Sequence, residues 1–199
     1  MARRREGRGV APVGFASPGR RGSVDTDRIQ PGCEPWRATG EGDRASTGVV
    51  LVHGFTGNPR ATTPMGRRLH ERGHTVDVVR LPGHGSTVRD FARTRYDDWR
   101  GAVDAAVDRT RAQCDRVVLV GHSMGGTLSL DVASSRVDAV DAVAAINAIV
   151  LSPTELLARL APVLQWVVPL VPRDAAGLPS DDIARPDVSE GAYPWVAAK

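Results

Sequence analysis

Gly121-His122-Ser123-Met124-Gly125 follows directly on the apolar run Val117-Val118-Leu119-Val120 and precedes Gly126-Thr127-Leu128-Ser129-Leu130, which can open a helix. A serine with glycine two positions to either side, set between a strand and a helix, has the context of a nucleophile elbow. The backbone at such a serine makes a sharp, strained turn. Gly121 and Gly125 remove the Cβ atoms that would clash with the strand and the helix. The turn lifts the Ser123 hydroxyl above the sheet edge and aims the Met124 N–H at the place where an oxyanion would form. The chemistry implied is acyl transfer through a serine nucleophile. Against it stands the absence of any histidine after His122.

The elements around this serine read as alternating strands and helices. Gly48 to Val52 is a β-branched run typical of a strand buried on both faces. The loop His53 to Arg60 follows, and Thr62 to Arg72 reads as a helix with Met65 and Leu69 four apart and Gly73 as its stop. Thr75 to Leu81 is the next strand, and Pro82-Gly83-His84-Gly85 a turn cluster. Tyr96 to Gln113 carries an apolar stripe (Trp99, Ala102, Val103, Ala106, Val107, Thr110) at helical spacing. Val117 to Val120 is the elbow strand, Met124 to Ser134 the helix behind it, and Ala142 to Leu151 a further strand. This alternation implies an α/β fold with a mostly parallel sheet covered on both faces, the strands at Val49–Val52, Val76–Arg80 and Val117–Val120 being neighbours at its centre.

The chain of 199 residues suffices for one domain, and its net charge of +3 owes much to Arg3, Arg4, Arg5, Arg8, Arg20 and Arg21. Residues 1–28 are rich in Arg, Gly, Ser and Pro and are expected to form a disordered basic tail. A mis-assigned translation start explains them equally well. No nucleic-acid partner is expected, because the arginines have no interleaved aromatics for stacking. Pro12, Gly14, Ser17 and Pro18 interrupt the only apolar candidate for a signal, and no integral membrane span is read, so a cytoplasmic protein is expected. Cys33 and Cys114 lie too far apart in sequence for a metal or redox motif and read as reduced thiols. After Ser152 the character changes: Leu156, Leu157, Leu160, Leu164, Trp166, Val167, Val168, Leu170 and Val171 crowd among Pro162, Pro169 and Pro172. These read as short helices that either seal the core or form a cap over an acyl-binding pocket, with Leu164, Trp166 and Val168 beside the serine.

Three stretches in order, each at a strand end, carry a family resemblance: His53-Gly54-Phe55-Thr56-Gly57-Asn58-Pro59, Leu81-Pro82-Gly83-His84-Gly85-Ser86, and the elbow through Gly126. Together with Pro31-Gly32-Cys33-Glu34-Pro35 they make residues 29–199 resemble the α/β-hydrolase superfamily, and within it the bacterial carboxylesterase and monoacylglycerol lipase group (serine aminopeptidase S33-like hydrolases). The resemblance implies an α/β-hydrolase core over 29–152 and, over 153–199, a helical cap segment and the start of a missing C-terminal core. It implies Ser123 as catalytic nucleophile, the backbone N–H groups of Phe55 and Met124 as the oxyanion hole, and His53, Gly54, Gly121 and Gly125 as support for the loop and the elbow. The substrate implied is a small uncharged acyl ester, with no cofactor and no metal.

The resemblance also carries a departure. In this fold the triad acid and histidine follow the serine. Here His53, His70, His74, His84 and His122 all lie on or before the elbow, and Asp174, Asp181, Asp182 and Asp187 match no triad acid. The reading is of an incomplete serine hydrolase lacking the last core strands, the triad Asp and the triad His, and hydrolysing esters near background. The alternative is a non-catalytic α/β-hydrolase-like protein that binds an apolar ligand or a partner chain. His70-Glu71-Arg72-Gly73-His74 imitates a zinc motif, but Gly73 should end the helix and let the two rings diverge. His84 is weighed as a surrogate base against a turn residue with a local hydrogen bond, and His122 is expected to point away from Ser123.

Overall fold

The computed structural model describes residues 29–150, 170–172 and 195–197. The expectations for the basic tail and for the helical segment at Leu156–Val168 fall outside these residues. The strands are β1 (Trp36–Ala38), β2 (Thr47–Val52), β3 (Thr75–Val79), β4 (Arg116–His122) and β5 (Ala142–Ile146) in one sheet, with β6 (Leu170–Pro172) and β7 (Trp195–Ala197) as a separate antiparallel pair. The helices are α1 (Thr63–His70), α2 (Val88–Arg93), α3 (Tyr96–Arg111) and α4 (Met124–Ser135).

The five-stranded sheet runs β1-β3-β2-β4-β5. β3, β2, β4 and β5 are parallel, and only β1 is antiparallel. The expected mostly parallel sheet with three central neighbours is therefore present. A crossover between parallel strands of one sheet is right-handed. Going from β2 to β3 moves one way along the sheet, while β3 to β4 and β4 to β5 move the other way. The rule thus puts α1 on one face and α3 with α4 on the opposite face. The core divides accordingly. Val50, Val52, Val79, Leu119, Phe91, Trp99, Val103, Val107, Leu128 and Val132 pack on the α3–α4 face, whereas Val49, Leu51, Val76 and Val78 meet Trp36 and Leu69 on the α1 face.

Several boundaries differ from the sequence reading. α1 ends at His70, where Gly73 adopts φ 92° and the Gly73 and His74 N–H groups return to the carbonyls of His70 and Leu69. That is a Schellman stop, so the glycine acts as expected but closes the helix earlier. Met65 is 42% exposed, and Gly66 takes the inward position instead, against Val78 and Leu51. β5 stops at Ile146 rather than reaching Leu151, because Asn147 turns to φ 49°. β1 and α2 are additional to the sequence reading, and Leu170–Pro172 is strand where a Pro-bounded helix was expected. Cys33 and Cys114 are buried free thiols. No described helix is long and apolar enough to cross a membrane.

Candidate active site

The chain reverses direction along the sheet between β2 and β4, and in open α/β sheets ligands bind at the carboxyl ends of strands beside such a reversal. The loop after β2 holds His53, Gly54 and Phe55, and the turn after β4 holds Ser123. Both sequence-predicted segments therefore sit at the carboxyl ends of the two paired strands that flank this reversal.

Ser123 lies between β4 and α4 with φ 53° and ψ −124°. A serine held there is strained by about 1–3 kcal/mol. Backbone bonds hold it: its N–H donates to the Ile146 carbonyl at 2.8 Å, and its own carbonyl accepts from Gly126 and Thr127. The glycines beside it allow no side chain. A Cβ on Gly121 would lie 2.2 Å from the Gly125 carbonyl oxygen, and one on Gly125 would lie 2.4 Å from the carbonyl oxygens of both Val52 and His53. Gly125 thus lets α4 rest on the end of β2, which brings the serine turn and the β2 loop together. Gly54 completes the approach, since a Cβ there would lie 3.1 Å from Ser123 Cβ. Met124 opens α4, so its N–H is among the first-turn donors that the helix leaves unpaired.

His53 shapes the loop opposite. Its ring is fully buried; Nε2 accepts the Leu81 N–H at 3.2 Å, so Nδ1 carries the hydrogen and donates to the Gly54 carbonyl at 2.9 Å. The Gly57 N–H reaches the same oxygen at 3.1 Å. Two donors fix the plane of the Gly54–Phe55 peptide. In a trans peptide the N–H points opposite to the carbonyl, so the Phe55 N–H is directed away from His53. Burial, aided by the nearby Arg80 charge, pushes the His53 imidazole down to about 4 against the opposing Gly54 bond, keeping it neutral. The anchor at Leu81 had no sequence signal, because it is a backbone amide. Thr56, next in the loop, also has positive φ, at 57°.

The other histidines are distributed differently. His84 is fully buried among Phe55, Phe91, Trp99 and His53, with Nδ1 3.2 Å from the Pro82 carbonyl. It is a turn residue in an aromatic cluster. His70 and His74 bracket the Gly73 turn that leads into β3, at the opposite edge of the sheet. His122 is exposed, and a Cβ on Gly54 would lie 3.4 Å from its Nδ1. Its ring therefore lies beside Gly54 of the β2 loop. Among the described residues none of the five is hydrogen-bonded to the Ser123 hydroxyl. A cavity of about 250 Å³ lined by Arg37, Thr75, Asp77, Arg109 and Gln113 lies at the far edge of the sheet and is not part of this site.

Residues 49–198 match the model of the alpha/beta hydrolase family. The chain belongs to that family. It is 37% identical over 107 residues to a thermostable monoacylglycerol lipase of Bacillus sp. (strain H-257), an alignment covering 54% of this chain and 41% of that protein. It is 34% identical over 90 residues to a carboxylesterase of Bacillus subtilis (strain 168), covering 45% and 35%. The chain thus spans less than half the length of these relatives. A structure reported for LipS and LipT, two metagenome-derived lipolytic enzymes, superposes with a TM-score of 0.72 at 31% identity, covering 86% of this chain and 66% of that one.

Proposed function

We propose that this alpha/beta hydrolase chain carries the nucleophile and oxyanion site of a serine hydrolase acting on carboxylic esters, of the carboxylesterase or monoacylglycerol lipase kind. The observation that carries the reading is Ser123 in a strained strand-to-helix turn, packed against the loop that His53 holds in place. The similarity to lipases and esterases supports an acyl ester as substrate.

In this reading Ser123 Oγ attacks the acyl carbonyl carbon and gives its proton to a general base, which the described residues do not supply. The carbonyl oxygen takes the electron pair and is held by the N–H groups of Phe55 and Met124. The tetrahedral intermediate collapses and the alkoxide leaves with the proton as alcohol. Water then attacks the acyl-serine and releases the acid. Gly54, Gly121 and Gly125 permit the close approach that places donor and nucleophile together, and His53 orients one donor.

The test is covalent labelling of the full chain with a fluorophosphonate, mapped by peptide mass spectrometry. Labelling at Ser123 at least about 10²-fold faster in folded than in urea-unfolded protein is expected, the scale of one oxyanion donor, and Ser123→Ala removes it. Equal rates in the two states, or labelling elsewhere, would overturn the reading.

A further inference from the structure

The cavity at the far edge of the sheet is built around a residue that the apolar pattern of β3 does not account for. Asp77 stands between Val76 and Val78, with Val50 of β2 beside it on one side and Arg37 of β1 on the other. It is 4% exposed. Burying a carboxylate is costly, and a well-packed apolar side chain of similar size is often as good for stability or better. A position that breaks the local pattern in this way is where function is to be sought.

The carboxylate holds two guanidiniums. Arg109 donates to Oδ2 from Nε at 3.1 Å and from Nη2 at 2.9 Å, and Arg37 donates to Oδ1 from Nε at 3.3 Å. Arg109 thus presents one edge of its planar fork to Asp77, and the edge between its two Nη atoms is turned away. Arg37 commits Nε alone and keeps both Nη groups. The two arginines line the cavity of about 250 Å³ together with Ala38, Thr39, Thr110 and Gln113. Their side chains are 54% and 39% exposed, so solvent reaches these donors. The wall beside them is tied down: Thr75 Oγ1 accepts the Gly40 N–H at 2.9 Å and donates to the Ala45 carbonyl at 2.8 Å. The lining carries two guanidiniums against one carboxylate, a net positive charge.

We propose that this cavity binds a small oxyanion, a carboxylate or a phosphate, between the Nη groups of Arg37 and Arg109, with Asp77 as the pin that sets the two forks. Paired N–H groups on a planar fork match the oxygens of both anions, and charge-assisted bonds of this kind are the strong ones. Liquid water takes about 30 Å³ per molecule, so the cavity suits an inorganic ion or a small acid. β3 enters the sheet here, whereas Ser123 follows the carboxyl end of β4, which runs parallel to β3 through β2. The site is separate from the elbow and stands whether or not Ser123 is a nucleophile.

The test is an NMR titration of the arginine Nε–H signals in the full chain at low salt. The probes are sodium phosphate and, separately, sodium acetate, with sodium chloride as the ionic-strength reference. Saturable shifts of Arg37 and Arg109 with phosphate, acetate or both, at concentrations where chloride has no effect, are expected. The anion that saturates lower names the class. Shifts that match those of chloride, or that miss these two residues, would overturn the proposal. A second arm separates a ligand site from an ion pair that only staples β1 to β3 and α3. Arg37→Gln leaves Asp77 paired with Arg109, so the fold should persist, as circular dichroism would check. The Arg109 signal should then need at least about tenfold more anion to saturate, the scale of one charge-assisted hydrogen bond. Arg68→Gln, an equal loss of charge on α1, should change the midpoint by less than about twofold. A smaller effect of Arg37→Gln, or an equal one from Arg68→Gln, would reduce the cluster to a staple and overturn the site.

Discussion

Both ring nitrogens of His53 are committed, and the commitment is written into the stability of the fold. The ring must be neutral to accept from Leu81 and donate to Gly54 at once, and its titration lies at about 4 when folded against 6.5 when unfolded. The unfolded chain therefore binds more protons between these values, and stability rises with pH across that window. The contribution is fully present above about pH 6.5 and is lost as pH falls toward 4, on the order of 3 kcal/mol in all. Urea melts at fixed pH values from 4 to 7.5 should show this slope, and His53→Asn, which keeps a donor for Gly54 but cannot titrate, should flatten it. An unchanged slope would place the acid sensitivity elsewhere. At this scale the sequence was informative where a residue's type dictates its geometry. Ser123 between glycines implied the turn that is observed. The Leu81 anchor of His53 was not legible, because a backbone amide leaves no trace in residue type.

The elbow helix α4 is held to α3 by polar groups as well as by Leu128 and Val132. Asp131 accepts hydrogen bonds from the Tyr96 hydroxyl and from Arg100 Nε, both at 2.8 Å, and Arg100 also reaches Asp104. Burial, and then the bond to Asp131, push the Tyr96 phenol up to about 12. Asp131→Asn removes the charge and leaves the burial, so an ultraviolet pH titration should find the phenol lowered but still above 10. Stability should fall by no more than about 1 kcal/mol, since Asp131 is partly solvated. A phenol unmoved by the substitution would mean that the two helices are not joined here. The long elements were legible because β-branched runs and the α3 stripe are strong signals. β1 has only three residues, and α2 has six with one buried apolar side chain, Phe91. Such elements exist through their neighbours: β1 through pairing with β3, α2 through the Thr87 cap and the aromatic cluster. Only the Thr87-x-x-Asp90 cap pattern could have marked α2. Asn147 gave no warning that it would end β5.

The two edges of the sheet are unlike. β1 is short, and its Arg37 is paired with Asp77. β5 carries Ala142-Val143-Ala144-Ala145-Ile146 without charge or proline, and among the described residues it pairs only with β4. Ile149 and Val150 beyond it are 60% and 71% exposed. Long, uncharged edges template association, so the chain should sediment as oligomers at micromolar concentration, and Ala144→Lys should shift it toward monomer. A wild-type monomer throughout that range would show the edge to be covered. The same strand supplies the carbonyl that holds the Ser123 N–H. Any chain that pairs with β5 therefore bears on the backbone of Ser123. The rate at which a fluorophosphonate labels Ser123, per mole of chain, should depend on how concentrated the protein is. Labelling belongs at several dilutions, because a rate that drifts with protein concentration reports the grip of a neighbour on Ile146.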